Sequence, residues 1–206
     1  MVPNGGQPFR LGILASKNGS NLQAILDRCF SDEISACVSV VISNNSKSGA
    51  LRRAKDVGIP TCHLSGWTHP EPDRLDGEMA RVLQDHGVDL VVLAGYMKKL
   101  GPVLLQAYPH RILNVHPALL PAFGGQGMYG MQVHRAVIES GAKLTGVTVH
   151  LAGSEYDQGP ILAQEVIWVH PADTPESLAK RVLKLEHRLL PVVIQRFAEG
   201  QFETVH

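Results

Sequence analysis

Apolar runs alternate along this chain with segments whose apolar positions recur at helical spacing. "RLGILAS" (10–16), "ACVSVVIS" (36–43), "TCHL" (61–64) and "DLVVLAG" (89–95) read as buried strands. Between them lie "NLQAILDRCF", "GALRRAKDVG" and a charged amphipathic stretch over about 73–86, which read as helices. Strands apolar on both faces suit a parallel sheet covered by helices on both sides. "RILNVH" (111–116) is a further strand, and a helix near 131–140 leads to "GVTVHLA" (146–152) and "ILAQEVIWV" (161–169). Those last two alternate apolar and polar residues, which predicts antiparallel pairing. The segment 174–198 is helical by pattern, with an interruption expected at Pro191, because proline lacks the N–H that a helix interior needs. The predicted class is α/β: an open, mostly parallel twisted sheet with helices on both faces and an antiparallel C-terminal portion.

Bulk composition narrows the setting. The chain has 206 residues, with no repeat, low-complexity tract or linker-like shift, so one domain over 1–206 is expected, with a flexible N-terminus over 1–8. Lys+Arg and Asp+Glu are equal at 19 each, which implies no global pull toward nucleic acid or an anionic membrane. The start, "MVPNGGQPFR", lacks the charge and apolar core of a signal peptide, and no run approaches the roughly 18–20 apolar residues of a membrane span. Cys29, Cys37 and Cys62 are scattered and odd in number, which points to a reducing compartment and a cytoplasmic protein. There is no H-E-x-x-H, no paired-cysteine spacing and no G-x-S-x-G, so neither a zinc site nor a serine-hydrolase elbow is expected.

Three stretches carry candidate chemistry. In "ASKNGSNLQAIL" (15–26) a strand ends, glycine permits a tight turn, and Ser20 and Asn21 stand where a helix begins. Unpaired N–H groups at a helix start attract phosphate; the alternative is a simple N-cap, since Ser and Asn are favoured there. In "ILNVHPALLPAFGG" (112–125), Asn114 and His116 are two apart and so share a strand face, and Pro117 ends the ladder. That puts both at the carboxyl end of a strand, where open α/β sheets bind ligands; the alternative is a capped strand end with a satisfied histidine. In "EYDQGPIL" (155–162), Asp157 lies in a loop between two strands, as an Asx turn or as a partner able to orient the imidazole of His116. By pattern alone, His134 and Arg135 read as exposed at a helix start, His150 as a core or supporting histidine, and Glu186-His187 as a solvated helix face.

In this order the three stretches resemble the folate-dependent glycinamide ribonucleotide formyltransferases of purine biosynthesis. The resemblance runs from "GILASKNGSNLQAI" through "DLVVLAGYMKKLGP", "ILNVHPALLP" and "YDQGPILAQ" to "LEHRLLP". It implies a Rossmann-like formyltransferase fold and transfer of a formyl group from 10-formyltetrahydrofolate, as co-substrate and without metal, to the glycinamide amine. By the same resemblance Asn114, His116 and Asp157 form the catalytic trio. Met97, Lys98, Lys99, Leu100 and Asn114 line the folate pocket, with Gly153, Ser154, Glu155, Tyr156 and Asp157 as its other wall. Gly19, Ser20 and Asn21 hold the ribonucleotide phosphate, Glu186 holds the ribonucleotide, and Pro117 and Arg74 complete the substrate contacts. The expected partners are these small molecules, in a monomer or homodimer. The length narrows the branch: a methionyl-tRNA formyltransferase is expected to carry a further C-terminal domain, and a formyltetrahydrofolate hydrolase an N-terminal regulatory one.

The residue types suit that chemistry. Attack of an amine on a formyl carbon creates an oxyanion, to which Asn114 and a protonated His116 can donate, and an adjacent carboxylate favours the protonated ring. This chain also departs from the family pattern. Lys17 stands where glycine is common, Lys98 replaces an arginine, and Pro72 occupies an arginine position with Arg74 two residues on. The stretch 122–134 is glycine-rich, as a rearranging lid would be. Two rivals stay open: a related formyltransferase on an amino sugar nucleotide or a formyltetrahydrofolate hydrolase, and a non-catalytic folate- or nucleotide-binding module.

Overall fold

The most apolar run of the chain becomes β4 (Leu90–Leu93), buried at every residue in the middle of the sheet. The structure is a computed structural model that describes residues 8–202; the N-terminal segment expected to be flexible lies, as far as residue 7, outside the described residues. β4 is flanked by β1 (Phe9–Leu14) and β5 (Ile112–His116), and beyond β1 come β2 (Ala36–Ser43) and β3 (Thr61–His63), all parallel. β6 (Leu144–Leu151) and β7 (Ile161–Trp168) then add antiparallel to β5, giving the order β3-β2-β1-β4-β5-β6-β7. The chain thus builds outward from β1 to β3 and returns to place β4 on the other side of β1. At such a reversal the loops leaving two neighbouring strands diverge and open a crevice.

Helices cover both faces. α1 (Ser20–Phe30), α2 (Gly49–Asp56) and α6 (Pro175–Ala198) lie over one core, in which Leu22 and Ile25 of α1 meet Leu190 and Ile194 of α6. α3 (Pro72–Asp85) and α4 (Pro102–Ala107) cover the other, through Met79, Leu83 and Leu104. α5 (Met131–Glu139) packs on α6. Leu22, Ile25 and Leu26 recur at helical spacing and are all but inaccessible to solvent. Truncating any of them to alanine should cost about 2–5 kcal/mol.

Two elements differ from the sequence expectation. α6 runs unbroken through Pro191, which is buried. One lost backbone hydrogen bond is offset by an apolar face that packs on α1, α5, β6 and β7. α4 is absent from the sequence reading because its six residues are too few to show a period. The buried Asp76 carboxylate makes it, accepting from the N–H groups of Val103 (2.6 Å) and Leu104 (3.3 Å) at its start. Among the described residues no helix is long and apolar enough to cross a membrane.

Candidate active site

The β1–β4 crevice is closed at its base by backbone pairing between the diverging loops. Ala94 N–H donates to Leu14 (2.9 Å), Ser16 N–H to Gly95 (3.2 Å), and Met97 N–H to the Ser16 hydroxyl (2.9 Å). The next strand, β5, ends there with Asn114 and His116. In the β5–β6 register Asn114 stands opposite His150 and His116 opposite Thr148. Thr148 anchors the chain after His116: its hydroxyl donates to Ala118 carbonyl (2.7 Å) and accepts from Leu120 N–H (3.0 Å) and Gln164 Nε2 (2.9 Å).

Asp157 joins these groups from the β6–β7 loop, 41 positions after His116 in number yet adjacent in space. Its Oδ2 lies 3.4 Å from His116 Nδ1 and accepts from Gly125 N–H at 2.9 Å. Its Oδ1 accepts from Asn114 Nδ2 at 3.3 Å and lies 3.6 Å from His150 Nε2. Asn114 Nδ2 is also 3.0 Å from His150 Nε2, and His150 Nδ1 donates to its neighbouring carbonyl, Leu151, at 2.9 Å. Gly124 has no room for a side chain, since a Cβ there would strike Leu120 and press on Asp157 Cβ at 3.2 Å. The trio is thus brought together as expected, with His150 as a fourth member.

Burial pushes the Asp157 carboxyl up, but the donors around it, first His150 and then His116 and the Gly125 N–H, outweigh burial and hold it below the usual carboxylate range. His116 goes the other way. Burial lowers its pKa, and outweighs the Asp157 charge and the Phe123 carbonyl, which favour protonation. The proton is one the site can both accept and release. His116 Nε2 donates to the Phe123 carbonyl at 2.8 Å, so the glycine-rich stretch begins as a clasp on the reacting groups.

At the start of α1 the N-cap is Gly19, left-handed at φ 74°, where a Cβ would come within 2.7 Å of Ala50 Cα. No side chain caps this end and its first turn holds no acid, so Ser20 and Asn21 are not the N-cap of the alternative reading. The bare N–H groups fit an anion. Asn21 itself points elsewhere: its amide is buried and donates to Glu186 Oε2 at 2.7 Å. Glu186 is likewise buried rather than on a solvated face, and burial raises its carboxyl to about 7 despite that bond. Lys17 is exposed, its Nζ reaching to within 3.4 Å of a Cβ placed on Gly130.

Most of the two expected segments face one another, though Met97 and Ser154 do not line the space between them. A narrow cleft of about 60 Å³ runs between Lys98–Leu100 and Gly153, Glu155–Asp157, and Asn114 and His150 form its inner end. Lys99 Nζ and Glu155 Oε1 pair across it at 3.0 Å. Beyond the 98–100 wall opens a trough of about 820 Å³ lined by Trp67, Pro72, Asp76 and Tyr96 among others. Arg74 does not line it; it is exposed and paired with Glu71 at 2.6 Å. His134, expected to be exposed, is buried, and burial lowers its pKa, as would a positive charge on His116 when that ring is protonated. Sequence reasoning missed Thr148, Gln164 and the Phe123 carbonyl. Thr148 could have been found by period two, since it precedes His150 by two on one strand; the carbonyl leaves no trace in residue type.

Comparison with known proteins agrees with this geometry. The Formyl transferase family model matches residues 9–194. A chloroplastic phosphoribosylglycinamide formyltransferase of Arabidopsis thaliana is 44% identical over 94% of this chain, which spans 67% of that protein's length. The phosphoribosylglycinamide formyltransferase of Escherichia coli is 36% identical, covering 93% of this chain and 88% of the relative. The crystal structure of glycinamide ribonucleotide transformylase 1 from Symbiobacterium toebii superposes with a TM-score of 0.89 at 43% identity, over 95% of this chain and 90% of that one. A seven-stranded sheet of this order, an asparagine, histidine and aspartate meeting at the end of β5, and these likenesses lead to one assignment: the chain belongs to the phosphoribosylglycinamide formyltransferases of the formyl transferase family.

Proposed function

We propose that the chain transfers the formyl group of 10-formyltetrahydrofolate to the amine of glycinamide ribonucleotide, and that Asn114, His116 and Asp157 carry the step. One observation supports this most: Asn114 and His116, from β5, both approach the carboxylate of Asp157, from a separate loop, at 3.3 and 3.4 Å, and Asn114 and Asp157 line the cleft. The folate lies between the 97–100 and 153–157 segments, and the phosphate sits on the bare start of α1 at Gly19 and Ser20. The neutral substrate amine attacks the formyl carbon, and the carbonyl electrons move to oxygen. Asn114 Nδ2 donates to that oxyanion, a contribution worth about 10²–10³ in rate in comparable sites. Released from the Phe123 carbonyl and with its proton on Nδ1 toward Asp157, the neutral His116 takes the proton from the attacking nitrogen at Nε2, and Asp157 stabilises the imidazolium. The ring then returns the proton to the folate nitrogen as the carbon–nitrogen bond breaks and the carbonyl re-forms. For the ring to reach substrate it must leave the Phe123 carbonyl, which assigns the 122–134 stretch its movement.

The test is purified protein with both substrates, followed by the folate absorbance change. Turnover that requires the ribonucleotide and is lost in His116→Ala is expected. Formate release without the ribonucleotide, or full activity in His116→Ala, would overturn the reading.

A further inference from the structure

The buried bond between α1 and α6 has a consequence beyond the catalytic trio. Asn21 is the second residue of α1, in the segment that the family pattern assigns to phosphate, yet its side chain turns away from the bare helix start and into the protein. Its Nδ2 donates to Glu186 Oε2 at 2.7 Å, across 165 positions of sequence. Its Oδ1 is sealed from solvent and has no hydrogen-bond partner among the described residues. A buried amide oxygen left unpaired is costly. Turning the amide over would set that oxygen against a carboxyl oxygen, so the one bond fixes the orientation of both groups. Glu186 in turn is buried, and among the described residues its one donor is the neutral Asn21 amide, which engages Oε2.

We propose that Asn21 is a positioning residue for Glu186: it pins Oε2 so that Oε1 meets a hydroxyl or amine donor of the ribonucleotide, and it ties the phosphate-binding start of α1 to α6. The side chain of Asn21 is then no phosphate ligand, and only its backbone belongs to the cradle. This inference rests on the substrate reading above and adds a role that the motif does not carry. It also explains why an asparagine serves here. A cation would pair with Glu186 and compete with the ligand, whereas an amide orients the carboxyl without neutralising it.

A double-mutant cycle tests it. Asn21→Leu, Glu186→Gln and the double variant are compared for KM and kcat with glycinamide ribonucleotide, and for inhibition by inorganic phosphate. Asn21→Leu is expected to raise KM for the ribonucleotide about tenfold or more, the size of one lost hydrogen bond to a charged group, with kcat within about twofold and the folate KM unmoved. The double variant is expected to be no worse than Glu186→Gln alone, because Asn21 acts only through that carboxyl. Inorganic phosphate should inhibit Asn21→Leu as it does wild type. Multiplying effects in the double variant, or phosphate inhibition weakened by Asn21→Leu, would overturn the proposal. Asn21→Ser repeats the cycle should leucine unfold the protein. A wild type inactive on the ribonucleotide refutes the substrate reading; an active wild type with multiplying effects refutes this inference alone.

Discussion

Asp157, in the β6–β7 loop, and Glu186, on α6, are carboxyls largely withdrawn from water, and they titrate in opposite directions. Asp157 is ringed by Gly125 N–H, Asn114 Nδ2 and two imidazoles, and its pKa is held below the usual carboxylate range. Glu186 has one amide donor and is pushed up to about 7. Burial acts the same way on both; the number and charge of the donors decides the sign. One carboxyl is thus held as a fixed charge beside His116, and the other is poised near neutrality beside Asn21.

The largest expected effect comes from the ring that the fixed charge serves. His116→Ala removes the proton carrier and should lower kcat by about 10²–10⁴, read by steady-state assay with both substrates saturating. Retention of more than a tenth of wild-type kcat would contradict the proton route through this ring.

Asp157→Asn comes next, and it breaks the comparison from one side. Shape is kept, but the imidazolium formed during the reaction loses its counter-charge, and kcat should fall by about a hundredfold or more. The same change has a signature in stability. Because the folded carboxyl titrates below its ordinary value, its contribution is complete above about pH 4 and is lost as pH falls through the folded value. Wild type should thus lose thermal stability on the acid side more steeply than Asp157→Asn. Parallel melting curves from pH 6 down to pH 3 would refute the assigned ionisation.

Much of this was legible in the chain. The alternation of apolar runs foretold the strands, and period two placed Asn114 and His116 on one face. Asp157 entered as a loop acid, either an Asx turn or a partner of His116, and only the family pattern favoured the second, since nothing local brings residue 157 to residue 116. That meeting depends on the β5–β6–β7 register and on the Thr148 anchor. Glu186 was misread by pattern for a similar reason. Its neighbours on α6 are mixed in polarity, and the helix looks amphipathic around it; only the packing of α6 on α1 seals that position. Pro191 was misread because tertiary packing overrode a local rule.

Glu186→Gln tests the other side of the comparison. A carboxyl at about 7 in the folded protein and 4.5 ordinarily binds its proton more tightly when folded. Stability is then highest below about pH 4.5, falls as pH rises toward 7, and carries its full deficit above that. Glutamine has no proton to lose, so Glu186→Gln should be more stable than wild type at pH 8, by on the order of 1–3 kcal/mol, and nearly equal at pH 4.5. Thermal melts at the two pH values read this, and a variant less stable than wild type at pH 8 would show that the carboxyl is not held near neutrality by burial.

The smallest effect is predicted where burial is removed from the comparison. Glu155 lies on the cleft wall a few residues from Asp157, but its side chain is 59% exposed, and its partner Lys99 is 49% exposed. Water already solvates both charges, so their 3.0 Å pairing adds little, below about 1 kcal/mol, and salt screens it. Lys99→Ala should therefore leave thermal stability almost unchanged. The pair does bridge the two walls between which the folate is proposed to lie, so its consequence is kinetic: folate must part the walls to enter. The association rate of a folate analogue, measured by stopped flow at low ionic strength, should rise modestly in Lys99→Ala and converge with wild type as salt is added. A drop in stability comparable to that of a core truncation would mean that this exposed pair behaves like the buried ones, and that solvent exposure does not separate the carboxyls of this cleft.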